Sequence, residues 1–185
     1  MTDLVVKSNK LVQALQTLNL NEARLLQLAI VDARETGQGL STEEPLELNA
    51  VRYAKAFNVS ADAAYLALSE AEDSLFKRQF TITNEDGTLT KSRWIQDANY
   101  RKGEGRILVT LTRVVIEHVT KIDGFEQYFT SYHLKKTADF KSVYAVRLYE
   151  LLMQWKAVGR TPAYELDRLR GQLGIGVNEY TRMEA

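Results

Sequence analysis

The 185-residue chain contains no cysteine, which excludes a disulfide framework and a thiolate metal site and makes a reducing cytoplasm its natural compartment. Histidine is nearly as scarce. The two present, His118 and His133, form neither a His-x₃-His nor a His-Glu-x-x-His spacing, so no metal and no cofactor is expected and each reads as a structural or surface residue. No stretch approaches the roughly 18 consecutive apolar residues of a membrane span, and residues 1–20 lack the basic-then-apolar pattern of an export signal. A membrane partner is therefore not expected. Net charge is absent too, since 24 basic residues balance 24 acidic ones, and the whole-chain balance announces no nucleic-acid partner.

What is present is enough apolar material, 45% of residues, for one domain of ordinary size or two very small ones. The charge is also unevenly spread. Residues 1–76 carry 6 basic and 11 acidic side chains, residues 77–121 carry 9 and 5, and residues 122–185 carry 9 and 8. The middle of the chain is the basic part.

Asn19-Leu-Asn-Glu22 reads as a capping box, followed by Leu26, Ala29, Ile30 and Ala33 on one helical face and a stop near Gly37. After an extended Pro45–Leu48, Asn49 caps a short helix with Ala50, Tyr53, Ala54 and Phe57 on its buried face. The turn Asn58-Val-Ser60 leads to a second helix from about Ala61 to Phe76, with Ala64, Ala67, Leu68, Ala71 and Leu75 inward. Helix, three-residue turn and helix is the spacing of a helix-turn-helix. The period then switches to two: strands are predicted at Phe80–Ile82, over 88–100 and over 106–112, with turns at Asn84–Gly87 and Arg101–Gly105. The expected fold is α+β, a winged helix with a three-stranded antiparallel wing and additional helices. Ser142 caps one of these, whose apolar stripe reads Tyr144, Leu148, Leu151, Leu152 and Trp155 with an end at Gly159, and Glu165–Leu173 forms a last short helix closed by Gly174.

Catalytic candidates are thin. Glu43-Glu44 and the group Glu70, Glu72 and Asp73 lie beside no apolar run that would raise a carboxyl pKa, and read as solvated faces. Gly103-Glu-Gly105 lacks the Lys-Ser/Thr of a phosphate loop and opens a strand instead of a helix. An enzyme is not expected. Duplex DNA is the better partner, because Lys77, Arg78, Lys91, Arg93, Arg101, Lys102 and Arg106 fall on and around the wing, where cations meet phosphates. Lys91 and Arg93 share strand parity and leave one face together. The competing reading is edge decoration that blocks strand-to-strand aggregation. The recognition-helix position, by contrast, exposes Asp62, Glu70, Glu72 and Asp73, which repel phosphate, so backbone contact without base readout is expected. Lys135, Lys136 and Lys141 form a second basic group that extends the phosphate track only if the fold brings it beside the wing.

Several segments resemble a known family. Val5-Val-Lys-Ser-Asn-Lys10, Leu20-Asn-Glu-Ala-Arg-Leu-Leu-Gln-Leu-Ala-Ile30, Lys141-Ser-Val-Tyr-Ala-Val-Arg-Leu-Tyr-Glu-Leu-Leu152 with Gln154-Trp155, and Leu166-Asp-Arg-Leu-Arg-Gly-Gln-Leu-Gly174 with Tyr180 are similar to the first domain of RepB-type plasmid replication initiators. The resemblance implies two winged helices in tandem, the second reading repeated origin sequences and the first supplying phosphate contacts and dimerisation. Dimers would repress their own operator, monomers would open the origin, and host replication proteins would be contacted. On this reading residues 1–185 are the single N-terminal winged helix, the C-terminal one is absent from the chain, and the end at Met183-Glu-Ala185 marks a fragment. Trp94, Ile95, Ile107 and Val109 are candidates for a dimer interface along a strand edge, though the same residues also fit the inner face of the sheet. The alternatives are an autorepressor or transcriptional regulator, and a pure dimerisation module without useful DNA affinity.

Overall fold

The computed structural model describes residues 3–120 and 124–182, so Met183-Glu-Ala185 lies outside the described residues. Strand β1 (Leu4–Ser8) leads into a one-turn helix α1 (Asn9–Val12) and a two-residue strand β2 (Leu15–Gln16). Helix α2 (Leu20–Thr36) begins as its sequence predicts. Asn19 Oδ1 accepts from the Glu22 N–H at 2.8 Å, and the Glu22 carboxylate accepts from the Asn19 N–H at 2.9 Å. It ends at Gly37 in the left-handed region. Between Glu22 and Ala33 nearly every residue is buried, so α2 is wrapped by other elements instead of lying on them with one face.

Strand β3 (Leu46–Asn49), helix α3 (Ala50–Phe57) and helix α4 (Ala61–Lys77) follow. The side chains of Asn49 and Ser60 accept from Arg52 and Ala63 N–H groups and cap the two helices. Asn58, left-handed at φ 50°, closes α3 and makes the three-residue turn. The inward face of α4 is the expected Ala64, Ala67, Leu68, Ala71 and Leu75.

The wing differs from its sequence reading in one respect. Strand β4 (Gln79–Thr83) pairs with β5 (Leu89–Arg93), while β6 (Ile95–Arg101) pairs with β7 (Arg106–Leu111), so the run 88–100 is two strands in two sheets. One sheet has the order β2-β4-β5 and the other β3-β7-β6, both antiparallel. The break falls at Trp94 because Trp94 and Ile95 are both buried, and a period of two cannot put consecutive residues on one face. The chain bends there, and Trp94 stacks on Phe80 with ring centroids 4.3 Å apart. The sheet β3-β7-β6 is the wing of the helix-turn-helix; the β4–β5 hairpin is inserted before it. Trp94, Ile95, Ile107 and Val109 are at most 3% exposed and belong to the core. As side chains they offer no apolar surface to a second copy, which corrects their assignment to a dimer interface in favour of the inner-face alternative.

Helix α5 (Arg113–Val119) then leads, beyond a one-turn 3₁₀ helix at Glu126–Tyr128, to β8 (Phe129–His133), which pairs antiparallel with β1. Helices α6 (Val143–Met153) and α7 (Leu166–Leu173) complete the chain, α7 ending on left-handed Gly174. The expected stripe of α6 is rotated. Leu151 is buried, but Leu148 and Leu152 are 44% and 50% exposed, and the inward face carries Val146, Arg147 and Glu150. Apolar periodicity missed this because two charges are buried there together. Glu150 lies 2.6 Å from the Lys7 ammonium and 2.9 Å from Arg147, and it accepts from the Tyr132 hydroxyl at 2.8 Å.

Candidate nucleic-acid interface

Helix α4 is fixed to the wing along one stripe of its surface. The Glu72 carboxylate accepts the Tyr100 N–H at 3.1 Å, and the Tyr65 ring packs where a Cβ on Gly105 would fall. Gly105, at φ 62°, is glycine for two reasons: its backbone is left-handed, and the aromatic ring leaves no room. Sequence reasoning gave Tyr65 no role and read Glu72 only as part of a solvated face. They lie seven residues apart, on one side of the buried stripe, and that spacing was the available signal.

The cations of this region fall into groups. At the wing tip, Arg101 and Lys102 are exposed in the turn that ends with Gly105. At the carboxyl end of α4, Arg93 donates to the Phe76 carbonyl at 2.8 Å, its guanidinium lying 5.2 Å from the centre of the Phe76 ring. Lys91 is two residues away on the same exposed face of β5, as parity predicted. Lys77 joins this end but pairs with Asp73 at 2.6 Å. Tyr65 and Phe76, against which Gly105 and Arg93 are placed, are eleven residues apart, about 16 Å along the helix axis.

Two further wing cations are committed elsewhere. Arg78 Nε lies 2.8 Å from the buried Glu22 carboxylate, the same group that caps α2, so Arg78 joins α4 to α2. Arg106 is held between Glu47, at 2.8 Å, and Glu104, and their carboxylates raise its pKa. Neither is a free cation for a phosphate.

Lys135 and Lys136 are exposed on a 3₁₀ turn (Leu134–Lys136) that packs against α2 and α3. The loop behind it is tied down by Arg24, which donates to the Ala138 and Phe140 carbonyls at 3.3 and 3.0 Å while its guanidinium lies 5.3 Å from the Phe57 ring centre. Lys141 is exposed just before α6. Lys135 and Lys136 therefore flank the helix-turn-helix on its α3 side, whereas Lys141 lies beside Thr17, Leu18 and Gly174. Lys55, exposed on α3, belongs to the side of Lys135 and Lys136 and is absent from the sequence reading, although its place opposite Tyr53 and Phe57 made it legible.

The outward stripe of α4 is Asp62, Leu66, Glu70 and Asp73, all exposed. Elsewhere, His118 Nδ1 lies 2.6 Å from Ser8 Oγ and burial lowers its pKa, against Glu117 and with Lys10. Among the described residues no three His, Cys, Asp or Glu side chains are grouped to hold a metal, and no helix is long and apolar enough to cross a membrane.

Comparison with known proteins places residues 4–153 in the family described as "Initiator Replication protein, WH1". An uncharacterized 27.6 kDa protein of Escherichia coli is 22% identical over 165 residues, which span 84% of this chain and 68% of that protein. Among solved structures, the Pi initiator protein in complex with iteron DNA superposes with a TM-score of 0.67 at 16% identity, over 93% of this chain and 73% of that one. The WH1 domain of a replication protein isolated from a multiple sclerosis patient is 36% identical, with a TM-score of 0.47 over 54% of this chain and 79% of that one.

Proposed function

The chain belongs to the Initiator Replication protein family, which it matches over the WH1 domain, and on that footing we propose that it binds double-stranded DNA at the repeated sequences of a plasmid origin to start replication. Its share of the work is to hold phosphates. The observation that carries this is a set of exposed cations on the two hairpins that follow α4, Lys91 and Arg93 on β5 and Arg101 and Lys102 in the turn before Gly105, beside an α4 whose outward stripe is acidic. Among the described residues none of these four cations is paired with a carboxylate, so each can exchange water and counterions for a phosphate. The acidic stripe disfavours base readout by α4. That the Pi initiator was solved with iteron DNA agrees with this reading.

The proposal includes a cytoplasmic protein without catalytic activity, able to associate as a homodimer, to act at an operator and to meet host replication proteins. Affinity for origin duplex measured against salt tests it. Charge reversal at Arg93 and Lys102 is expected to weaken binding and to flatten the plot of log affinity against log salt by about 0.9 for each phosphate that is no longer neutralised. Salt-independent binding, or none, would favour the second reading, a pure interaction module, to which the carboxylates of α4 give some support.

A further inference from the structure

Phe76 departs from the pattern of its helix. The buried stripe of α4 ends at Leu75, yet the next residue is a large aromatic that is 38% exposed and lies outside the apolar core. What its ring meets is a cation. The Arg93 guanidinium lies 5.2 Å from the ring centre, and one of its amino groups donates to the Phe76 carbonyl at 2.8 Å. That carbonyl belongs to the last turn of α4, where main-chain acceptors have no partner within the helix and the macrodipole favours a positive charge.

The main chain of Arg93 is held as well, since its carbonyl accepts from the hydroxyls of Ser92 and Thr112 at 3.0 and 2.8 Å. Arg93 is thus fixed at its backbone and at its guanidinium, whereas the side chains of Lys91, Arg101 and Lys102 have no partner among the described residues. The difference matters because a long side chain that meets a phosphate gives up rotamer freedom, and a guanidinium already aimed has given it up beforehand. Arg93 is nonetheless exposed. The Phe76 carbonyl uses one of its five N–H groups, and the rest have no partner among the described residues, which leaves a planar edge able to make two parallel bonds to phosphate oxygens. The nearest carboxylates along α4 do not compete for it: Asp73 pairs with Lys77 at 2.6 Å, and Glu72 accepts the Tyr100 N–H at 3.1 Å.

Resting on the phosphate-holding role given above, we propose that Phe76 is a positioning residue for DNA binding. Its ring and its carbonyl hold the Arg93 guanidinium in the orientation that takes a phosphate, and Arg93 is thereby the anchoring contact among the four cations.

Affinity of the full chain for a duplex oligonucleotide, measured against salt, tests this. Phe76→Ala is expected to weaken binding about three- to tenfold with an unchanged salt slope, because the charge that meets the phosphate is still present. Phe76→Leu, which keeps apolar bulk without the ring face, should behave in the same way, and Phe76→Tyr, which keeps the ring, should bind as the parent does. Arg93→Ala should lower the slope by about 0.9 and cost more affinity than Lys91→Ala, Arg101→Ala or Lys102→Ala. Once Arg93→Ala is in place, Phe76→Ala should have no further effect. Urea unfolding of each variant separates lost affinity from lost fold. The positioning role is overturned if Phe76→Ala and Phe76→Leu bind as the parent does, if Phe76→Tyr is as weak as Phe76→Ala, or if Phe76→Ala weakens the Arg93→Ala variant as much as it weakens the parent. In each of these cases the parent still binds with a salt slope. A parent without salt-dependent affinity refutes the proposed function itself, and the positioning role falls with it.

Discussion

Replacing Glu150 by glutamine should unfold this protein far more readily than replacing Lys7, although the two residues form one ion pair. The pair is part of a buried triad in which two cations, Lys7 and Arg147, share a single carboxylate. Arg147 is well provided for, with the carbonyls of Val12, Ala14 and Gln172 as further acceptors. The pKa directions agree with this inventory. Burial on its own would raise the Glu150 carboxyl, but Lys7 and Arg147 beside it hold it below the ordinary carboxylate range; burial lowers the Lys7 ammonium despite Glu150, with Arg147 adding to the effect. Glu150→Gln leaves two buried cations uncompensated, for which about 3–5 kcal/mol is the expected cost, a fall in Tm of about 6–20 °C at 2–4 °C per kcal/mol for a chain of this size. Lys7→Met removes the surplus cation and leaves a one-to-one Arg147–Glu150 pair, so a loss of no more than about 1 kcal/mol is expected. Urea unfolding of both variants at constant m-value measures the contrast. Equal losses, or a Glu150→Gln variant within about 1 kcal/mol of the parent, would refute the idea that the triad carries one uncompensated positive charge.

Asn19→Ala removes one half of the reciprocal cap of α2 and should cost about 1 kcal/mol in urea unfolding, whereas Asn19→Ser should restore most of it. Gly105→Ala places a Cβ against Tyr65 at a left-handed backbone position, and stability should fall by about 1–2 kcal/mol, with Gly105→Ala/Tyr65→Ala losing less than the two separate effects combined. His118 has a folded pKa below that of the unfolded imidazole, about 6.5, because burial disfavours its charged form. Its contribution is therefore complete above that value and lost as pH falls below it towards the folded pKa, so Tm should decline on acidification from neutrality, and His118→Gln should flatten the decline. Acid should also titrate Glu150, whose stabilisation is present above the ordinary glutamate value of about 4.3 and lost below it.

The helix-turn-helix was legible because each of its signals is local. Asn19, Asn49 and Ser60 cap where their side chains reach the next turn, and the alanine stripe of α4 repeats on the helical period. The wing was legible as strands but not as sheets, since pairing is a choice among partners distant in sequence. Only the doublet Trp94-Ile95, impossible on one face of a straight strand, betrayed the break between β5 and β6. The face of α6 was misread for the opposite reason. Its apolar residues Leu148 and Leu152 are exposed, and its buried charges are meaningful only once Lys7, 140 residues away, is known to lie beside them. The candidate interface shared both fates. Parity correctly paired Lys91 with Arg93, but Glu22 on α2 and Glu47 on β3, which occupy Arg78 and Arg106, are distant in sequence; only Glu104, two residues before Arg106, lay within its local pattern.

That division of the arginines bears on how the surface works. A cation already paired with one or two carboxylates has little to gain from a phosphate, because the existing pair must be broken first, whereas a solvated cation exchanges only water and counterions. Of the seven cations expected on and around the wing, Arg78 is held by Glu22, Arg106 by Glu47 and Glu104, and Lys77 by its neighbour Asp73. The remaining four are Lys91 and Arg93 on β5 and Arg101 and Lys102 in the turn before Gly105. The outward stripe of α4 beside them is acidic, and at physiological ionic strength charges further apart than the Debye length of about 8 Å act largely independently. On the proposed function the cations on each hairpin would meet phosphate largely on their own account, and the carboxylates of Asp62, Glu70 and Asp73 along α4 would keep that helix out of close contact. A surface built in this way would then hold the duplex through its backbone and leave base recognition to other residues.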